Sequence, residues 1–241
     1  MSVAVIVVAG GSGTRVGQEV NKVYLPIRRR ATLTYSLETL ERASAVDEIV
    51  LVVRDEDRKS ALEAATAVPM TKPLHTVTGG SSRQRSELAG LEAIAPSIES
   101  GEIELVAIHD GARPFATNQL LESVLARARA EGGAIPGLTI DGPVYRREGS
   151  RIERLPSAGL RRVQTPQAFR AGPLLDAYRG AAAAGFEGID TAETVERFAD
   201  LTTVVVPGDP RNIKLTFVED FFVAEDLALR WESGRWLDVG R

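Results

Sequence analysis

The chain has 241 residues, an apolar share of 44% and a formal net charge of −4. It is long enough to bury a sizeable core, and because no basic block stands out we expect no nucleic-acid partner. The sequence has no cysteine, which excludes disulfides and thiolate metal sites, and its two histidines, His75 and His109, are too few to predict a zinc site.

The N-terminal segment MSVAVIVVAGG is apolar, but it is too short to span a membrane and carries no basic residues of a signal peptide. We interpret it as a buried strand. We therefore expect a soluble, cytoplasmic protein with no membrane partner.

Strands and helices alternate through the first half of the chain. In chain order, the patterns predict a strand at 3–9, a helix at 33–43, a strand at 48–53, a helix at 57–67, a strand at 74–78, a helix at 83–95, a strand at 104–109 and a helix at 117–130 capped by Thr117. Unbroken apolar strands are typical of a sheet buried on both faces. This order predicts an α/β fold with a mostly parallel sheet flanked by helices.

The alternation stops between residues 135 and 163. Residues 145–147 and 151–155 flank Glu148-Gly149-Ser150, a spacing that predicts a hairpin. We place a β-arm at about 136–163; it is either a projecting dimerisation arm or an ordinary surface hairpin. Helices at 173–184 and 191–199, a strand at 202–206 and a helix at 218–231 follow, so we predict one domain over 1–231 and a loosely held tail over 232–241.

The first strand ends in the glycine-rich segment AGGSGTR, residues 9–15. Ligands of open α/β folds bind at the carboxyl edge of the sheet, and successive backbone N–H groups there form an anion-binding concavity. A Walker A loop would require a Gly-Lys pair that is absent here, and a dinucleotide fingerprint would require glycine at Val16. Arg15 and Lys22 follow closely enough to reach bound phosphates, although a plain glycine turn with two solvated cations is the alternative.

Further polar residues outside the glycine-rich segment are candidates for binding a ligand. Asp110 follows a predicted strand, where a carboxylate suits Mg²⁺ or a ribose hydroxyl but is also a common turn residue. We expect His109 to be a packed strand residue. The second glycine turn, residues 79–86, either binds a base or only starts a helix, and Lys214 among apolar residues predicts an anionic partner, substrate or carboxylate.

Six segments in order resemble one family: AGGSGTR, NKVYLPI, GGSSRQRS, HDGARP, QTPQAF and NIKLT followed by Glu219-Asp220. They are similar to the cytidylyltransferases of the 2-C-methyl-D-erythritol 4-phosphate type and to relatives that use D-ribitol 5-phosphate. The resemblance implies a Rossmann-like core with a β-arm that forms a homodimer. It also implies transfer of a cytidylyl group from CTP to a sugar-alcohol phosphate with Mg²⁺, in isoprenoid precursor synthesis.

The resemblance also implies roles for individual residues. Catalytic residues would be Arg15, Lys22 and Lys214. The nucleotide would be bound by Ala9, Gly10, Gly11, Ser12, Gly13, Gly80, Arg83, Ser86 and Asp110, and Asp110 would also bind the metal. The acceptor would be bound by Arg113, Asp141, Thr165 and Asp190.

Several positions differ from the family pattern. Gly10 stands where alanine is common in the methylerythritol enzymes, and a glycine there is more like the ribitol branch. Gly142 stands where a threonine is usual. Ser157 replaces an arginine for which Arg154, Arg161 or Arg162 would substitute, and Ile189 replaces a threonine. We expect the methylerythritol phosphate acceptor; the alternatives are another polyol phosphate, such as ribitol phosphate, or a non-catalytic nucleotide-binding protein.

Overall fold

The computed structural model describes residues 2–11 and 21–233. Its strands are β1 (Ser2–Val8), β2 (Pro26–Ile27), β3 (Arg30–Ala31), β4 (Glu48–Val53), β5 (Leu74–Thr78), β6 (Ile103–Asp110), β7 (Gly132–Thr139), β8 (Val144–Glu148), β9 (Arg151–Leu155), β10 (Arg161–Val163), β11 (Gln167–Arg170) and β12 (Thr202–Pro207). Its helices are α1 (Thr32–Arg42), α2 (Arg58–Thr66), α3 (Arg83–Ala93), α4 (Ala95–Glu99), α5 (Asn118–Glu131), α6 (Ala171–Ala183), α7 (Thr191–Phe198) and α8 (Val218–Glu232). Short 3-10 turns cover Lys22–Tyr24 and Asp55–Asp57.

Eight strands form the central sheet, in the order β10-β7-β11-β6-β1-β4-β5, with β12 also paired to β7. The pairs β1–β4, β1–β6, β4–β5 and β12–β7 are parallel, whereas β11 is antiparallel to β6 and β7, and β10 is antiparallel to β7. The predicted α/β fold with a mainly parallel sheet and flanking helices is confirmed.

The sheet is covered on both faces, as the unbroken apolar strands predicted. Val5 and Val7 of β1 pack with one group of helices, α1, α2 and α5, while Ile6 faces a second group, α3, α4, α6 and α7. This alternation follows from the two-residue period of a strand. A third apolar cluster, which includes Tyr35 and Phe115, packs against α8.

The antiparallel strands β7, β10 and β11 lie where the sequence predicted no central strand. β7 has the sequence GGAIPGLT, which lacks the β-branched run of a typical strand. Its glycines are required by packing, since a Cβ on Gly133 would lie 2.6 Å from a ring carbon of Phe169 on β11. The segment before α6, for which the sequence predicted no element, is therefore partly a strand.

The predicted hairpin is present as a separate two-stranded sheet of β8 and β9, with Val144 paired to Leu155 and Glu148 to Arg151. Its ends differ from the predicted 136–163 arm because β7 extends to Thr139 and β10 begins at Arg161, both in the central sheet. The separate hairpin is therefore shorter than the predicted arm.

The closing helix α8 also differs from the prediction, because it continues to Glu232, the first residue assigned to the tail. Glu232 forms an ion pair with Arg28 at 2.9 Å and accepts a hydrogen bond from the Tyr35 hydroxyl at 3.1 Å. The rest of the predicted tail, 234–241, lies outside the described residues. Among the helices that the structure describes, none is both long and apolar enough to cross a membrane.

Candidate active site

The carboxyl ends of β1, β4 and β6 meet at one edge of the sheet. Val8 is in register with Val52 on one side and with Asp110 on the other. The glycine-rich segment after Ala9 therefore begins beside Asp110. This is the edge at which ligands of open α/β folds bind.

Asp110, the last residue of β6, is buried and lies among three cations. Its Oδ2 is 2.8 Å from Lys214 Nζ and 3.6 Å from Arg113 Nε, and its Oδ1 is 3.1 Å from Arg83 Nη2. Burial would raise the pKa of the Asp110 carboxyl, but the charges of Arg83, Lys214 and Arg113 outweigh it and hold that pKa well below its usual range. The carboxylate is ionised, and the sequence's expectation of an anionic partner for Lys214 is met by Asp110.

The loop that carries Lys214 is tied to the turn after β6 by backbone contacts. The side-chain amide of the fully buried Asn212 donates a hydrogen bond to the Thr165 carbonyl at 2.8 Å. The backbone carbonyl of Asn212 accepts a hydrogen bond from the Arg113 guanidinium at 2.8 Å. Leu215 N donates to the Ala112 carbonyl at 2.9 Å. These bonds bring Lys214 beside Asp110 although the two are far apart in sequence.

Thr165 and His109 form a hydrogen-bonded chain behind the Asp110 backbone. The Thr165 hydroxyl accepts the Asp110 N–H at 3.0 Å and lies 3.2 Å from His109 Nδ1, while His109 Nε2 lies 3.2 Å from the Arg113 carbonyl. Because a carbonyl only accepts, the proton belongs on Nε2, and Nδ1 accepts from the Thr165 hydroxyl. Burial lowers the pKa of His109 to about 4, so this ring is neutral. His109 is a packed strand residue, as predicted.

The second glycine turn faces the first. Ser82 is the N-cap of α3, accepting from Arg85 N at 3.3 Å, so this segment starts a helix. Ser86 is buried; its hydroxyl donates to the Ser82 carbonyl at 2.9 Å and accepts from Gly80 N at 3.2 Å. A Cβ placed on Gly10 would be 3.8 Å from the Ser86 hydroxyl, so the two turns lie in contact range. Base binding by Gly80 and Ser86 stays a prediction.

Asn21 fastens the two ends of the glycine-rich loop together. It is fully buried, and its side-chain amide donates to the Ala9 carbonyl at 2.7 Å and to Asp57 Oδ2 at 3.0 Å. Asp57 also accepts from Arg54 Nε at 2.7 Å, and Ala9 N donates to Val52 O at 2.8 Å.

These bonds set where the loop begins and where it ends. Lys22 directly follows Asn21 and is therefore held at the same edge of the sheet as Asp110. Gly11 is exposed, and no atom of the part of the chain that the structure describes lies within 4 Å of a Cβ placed on it. Ser12, Gly13 and Arg15, predicted site residues, lie outside the described residues, so their placement stays a prediction.

The predicted acceptor residues are placed differently from one another. Arg113 contacts Asp110, and Asp190 is the N-cap of α7, where it accepts from Glu193 N at 3.0 Å and from Gln167 Nε2 at 3.3 Å. Arg83 Nη1 donates to the Ile189 carbonyl at 3.2 Å, which brings the α7 N-terminus to the cluster. Asp141 lies exposed in the loop between β7 and the arm. The Thr165 hydroxyl is already engaged by Asp110 N and His109.

Among the described residues that form ion pairs in this cluster, cations exceed carboxylates. The cations are Arg83, Arg113 and Lys214; the carboxylates are Asp110 and Glu87, which pairs with Arg83 at 3.1 Å. Such an excess at a strand edge favours an anionic ligand. Within the described ranges, no group of three His, Cys, Asp or Glu side chains could hold a metal by itself. A single carboxylate still fits Mg²⁺, which takes most of its oxygens from water and substrate phosphates.

Sequence reasoning missed several polar residues that shape this site: Asn21, Arg54, Asp57, Glu87, Gln164, Tyr178 and Asn212. All of them except the half-buried Arg54 are buried, and their side chains form hydrogen bonds or ion pairs within the site. The partners themselves are far apart in sequence, so no local pattern identifies them.

Comparison with known proteins agrees with this geometry. A family model described as IspD, 2-C-methyl-D-erythritol 4-phosphate cytidylyltransferase, matches residues 3–230. The protein of that name from Bacillus velezensis is 33% identical over 235 residues, covering 97% of this chain and 98% of the relative. The one from Cereibacter sphaeroides is 36% identical over 228 residues, covering 94% and 97%.

Solved structures give the same assignment. The 4-diphosphocytidyl-2C-methyl-D-erythritol synthase of Anaerococcus prevotii superposes with a TM-score of 0.82 at 28% identity, over 95% of this chain and 96% of that one. The 2-C-methyl-D-erythritol 4-phosphate cytidylyltransferase of Thermus thermophilus superposes with a TM-score of 0.73 at 27% identity, over 95% and 100%. The chain belongs to the IspD family of cytidylyltransferases.

Proposed function

We propose that this chain transfers the cytidylyl group of CTP to 2-C-methyl-D-erythritol 4-phosphate, releasing pyrophosphate, in isoprenoid precursor synthesis. The observation that carries the proposal is the match of the family model to residues 3–230. The relatives named above carry the same substrate in their names, which favours this acceptor over ribitol phosphate.

The reaction requires positive charge more than it requires a protein nucleophile. An oxygen of the acceptor phosphate attacks the α-phosphorus of CTP, one P–O bond forms, and the bond to the bridging oxygen of pyrophosphate breaks. Arg15, Lys22 and Lys214 would offset the charge that spreads over the transferring phosphoryl and leaving group. Positioning of the two substrates would supply much of the remaining rate enhancement.

The nucleotide would lie across the edge formed by the two glycine turns. Backbone groups of Ala9, Gly10 and Gly11 would approach its phosphates, and the turn at Gly80, Arg83 and Ser86 would bind cytosine. Asp110 would accept from a ribose hydroxyl or bind Mg²⁺ together with CTP oxygens. When bound, Mg²⁺ would neutralise phosphate charge, and Lys214 and Arg83 would share the Asp110 carboxylate with it.

The acceptor side would be built around Arg113. Arg162 of β10 is close enough for its charge to lower the pKa of the Arg113 guanidinium further, after the larger effect of burial. Two neighbouring arginines favour an acceptor phosphate. Arg162 is therefore our candidate for the cation missing at Ser157, with Thr165, Asp190 and Asp141 as further predicted contacts.

We propose that the enzyme works as a homodimer through the arm of β8 and β9. Tyr145 and Ile152 on this arm are 50% and 67% exposed, which suits burial against a second copy. We also propose a cytoplasmic location, where CTP is supplied. Analytical ultracentrifugation tests the dimer, and fractionation of the source cells tests the location.

One assay tests the function. Purified protein is incubated with CTP and Mg²⁺ and either acceptor, 2-C-methyl-D-erythritol 4-phosphate or D-ribitol 5-phosphate, while pyrophosphate release is followed. We expect turnover with the first acceptor. Turnover with ribitol phosphate alone would reject our acceptor, and CTP binding without turnover on either acceptor, unchanged in Arg15→Ala and Lys22→Ala variants, would support a non-catalytic nucleotide-binding protein.

A further inference from the structure

Helix α3 carries a buried carboxylate, Glu87, to which the proposed reaction gives no role. Glu87 is 1% exposed. Its Oε1 is 3.1 Å from Arg83 Nη2 and accepts from the Thr191 hydroxyl at 3.3 Å, and its Oε2 accepts from the Tyr178 hydroxyl. A charge buried this deeply is costly unless its partners are held in place, and Glu87 has such partners in Arg83, Thr191 and Tyr178.

Arg83 is shared between two carboxylates. The same nitrogen, Nη2, lies 3.1 Å from Glu87 Oε1 and 3.1 Å from Asp110 Oδ1, and Nη1 donates to the Ile189 carbonyl at 3.2 Å. Because a guanidinium is planar and its donors point in fixed directions, three such contacts fix its orientation as well as its position. Glu87 and Arg83 are one helical turn apart on α3, so the pair also couples the start of this helix to β6.

Glu87 and Asp110 compete for the same nitrogen of Arg83. With Glu87 ionised, Arg83 is divided between two acceptors, and Asp110 keeps its 2.8 Å contact with Lys214. Without that negative charge, Asp110 would be the one remaining carboxylate among Arg83, Arg113 and Lys214. The guanidinium would then move toward Asp110 and compete with Lys214 for its oxygens.

The anchors of Glu87 come from two other helices. Tyr178 on α6 and Thr191 on α7 are both fully buried, and both direct a hydroxyl to the Glu87 carboxylate. Burial raises the pKa of the Glu87 carboxyl, whereas the charge of Arg83 and these two hydroxyl donors favour its ionised form. Through Glu87, Arg83 is thus linked to helices α6 and α7.

We propose that Glu87 is a positioning residue for the nucleotide: anchored by Tyr178 and Thr191, it holds Arg83 at a set distance from Asp110 and so leaves Asp110 available to Lys214 and the nucleotide. The proposal rests on the proposed function, because its kinetic consequence is a change in CTP binding. Glu87 itself touches neither substrate.

The test uses Glu87→Gln, which keeps the shape and loses the charge, with Glu92→Gln as the matched control. Glu92 lies on the same helix but pairs at the surface with Arg179, at 2.8 Å. For Glu87→Gln we expect kcat/KM for CTP to fall about ten-fold, mainly through a rise in KM, with a smaller fall in kcat because Lys214 is displaced from Asp110 but not removed. Glu92→Gln should match wild type in both constants.

Two further measurements separate positioning from folding and from the function itself. Tyr178→Phe keeps the charge and removes one anchor, so it should raise KM for CTP less than Glu87→Gln does. A crystal structure of Glu87→Gln should have Arg83 closer to Asp110 and Lys214 further from it.

A lower melting temperature with an unchanged KM would overturn the proposal, since it would show a role in folding alone. If the wild type neither binds nor turns over CTP, the proposed function fails. The positioning role is then judged on the crystal structure, where a displaced Arg83 supports it and an unmoved Arg83–Asp110 contact overturns it.

Discussion

Lys214 and Asp110 form an ion pair, Nζ to Oδ2 2.8 Å, that joins the loop before the last helix to the end of the central strand β6. The pair lies at the edge of the sheet where the two glycine turns meet. An ammonium held this way is already desolvated in part and already aimed at the site, so less reorganisation is needed when a charged phosphate arrives.

Replacing Lys214 by alanine should therefore lower kcat strongly and the free energy of unfolding only slightly. We expect kcat/KM for CTP to fall about 10²- to 10³-fold, the size of effect seen when one preorganised charge-stabilising group is removed. Steady-state kinetics with CTP as the varied substrate measures this. Lys59→Ala is the matched control, because Lys59 is an exposed lysine on α2; equal losses in the two variants would contradict a specific role for Lys214.

The closure of the glycine-rich loop gives a second prediction. Asn21→Ala removes the bonds to the Ala9 carbonyl and to Asp57, both at buried sites, and should cost about 2 kcal/mol of unfolding free energy. It should also weaken CTP binding, because Lys22 and the loop lose their fixed attachment to β1. Urea unfolding and calorimetric CTP titration measure the two effects.

Asp57→Asn and Asp55→Asn sharpen this test. Asp57 accepts from Asn21 and Arg54, whereas Asp55, two residues earlier in the same 3-10 turn, is exposed and pairs with Arg58. We expect Asp57→Asn to weaken CTP binding and Asp55→Asn to leave it unchanged. Weakening of equal size in both variants would show that the turn, and not the Asn21 contact, matters.

How far the sequence predicted this molecule depends on how local each signal is. Glu48–Val53 was predicted with its observed bounds because a buried parallel strand is a continuous apolar run bounded by polar residues. Leu74–Thr78, a half-exposed strand at the sheet edge, was also predicted with its observed bounds, as a short segment that leads into Gly79-Gly80. β7 and β11 were missed, because one is rich in glycine for packing against Phe169 and the other has four residues.

The same distinction applies to the site. Asp110, Arg83 and Lys214 were predicted as separate residues from turns and from the family resemblance, but their mutual ion pairs depend on segments far apart in the chain. The groups that anchor these residues could not be predicted from the sequence for the same reason. The Asn212 amide bound to the Thr165 carbonyl gives no local pattern in either segment.

The glycines at the two turns give opposite expectations for substitution by alanine. A Cβ on Gly10 would meet Arg54 Cγ at 3.7 Å and Ser86 Oγ at 3.8 Å, which are ordinary contacts. A Cβ on Gly80 would collide with Arg85 Cβ and lie 3.1 Å from the Arg85 carbonyl carbon. We expect Gly80→Ala to lower the melting temperature and to raise KM for CTP by displacing the first turn of α3, at a cost of about 1–3 kcal/mol.

Gly10→Ala, in contrast, should leave the melting temperature unchanged and keep the same preference between methylerythritol and ribitol phosphates. Alanine is common at this position in the family, and the space around Gly10 accommodates it. The ratio of kcat/KM for the two acceptors measures the preference. A switch of acceptor in Gly10→Ala would show that this position, rather than the region around Arg113, selects the alcohol phosphate.

The neutral His109 ring makes stability depend on pH. Burial lowers the pKa of His109 to about 4, with Asp110 opposing the shift and Arg113 and Lys214 adding to it. Since the unfolded chain binds this proton near pH 6.5 and the folded chain near 4, the unfolded state gains protons first as pH falls. The contribution of His109 is therefore fully present above about pH 6.5 and is lost progressively down to about pH 4, by up to about 3 kcal/mol.

Urea unfolding of the wild type and of His109→Gln between pH 7.5 and 4.5 tests this. Over that range the contribution of Asp110 is constant, because its pKa is held below the usual value and its stabilisation is lost only at lower pH. Glu87, whose pKa burial raises, contributes equally to both proteins and cancels in their difference. The free energy of unfolding should fall more steeply with decreasing pH in the wild type than in His109→Gln. The control His75→Gln, at a half-exposed site on β5, should follow the wild type. Parallel curves for the wild type and His109→Gln would mean that His109 is protonated without cost in the fold.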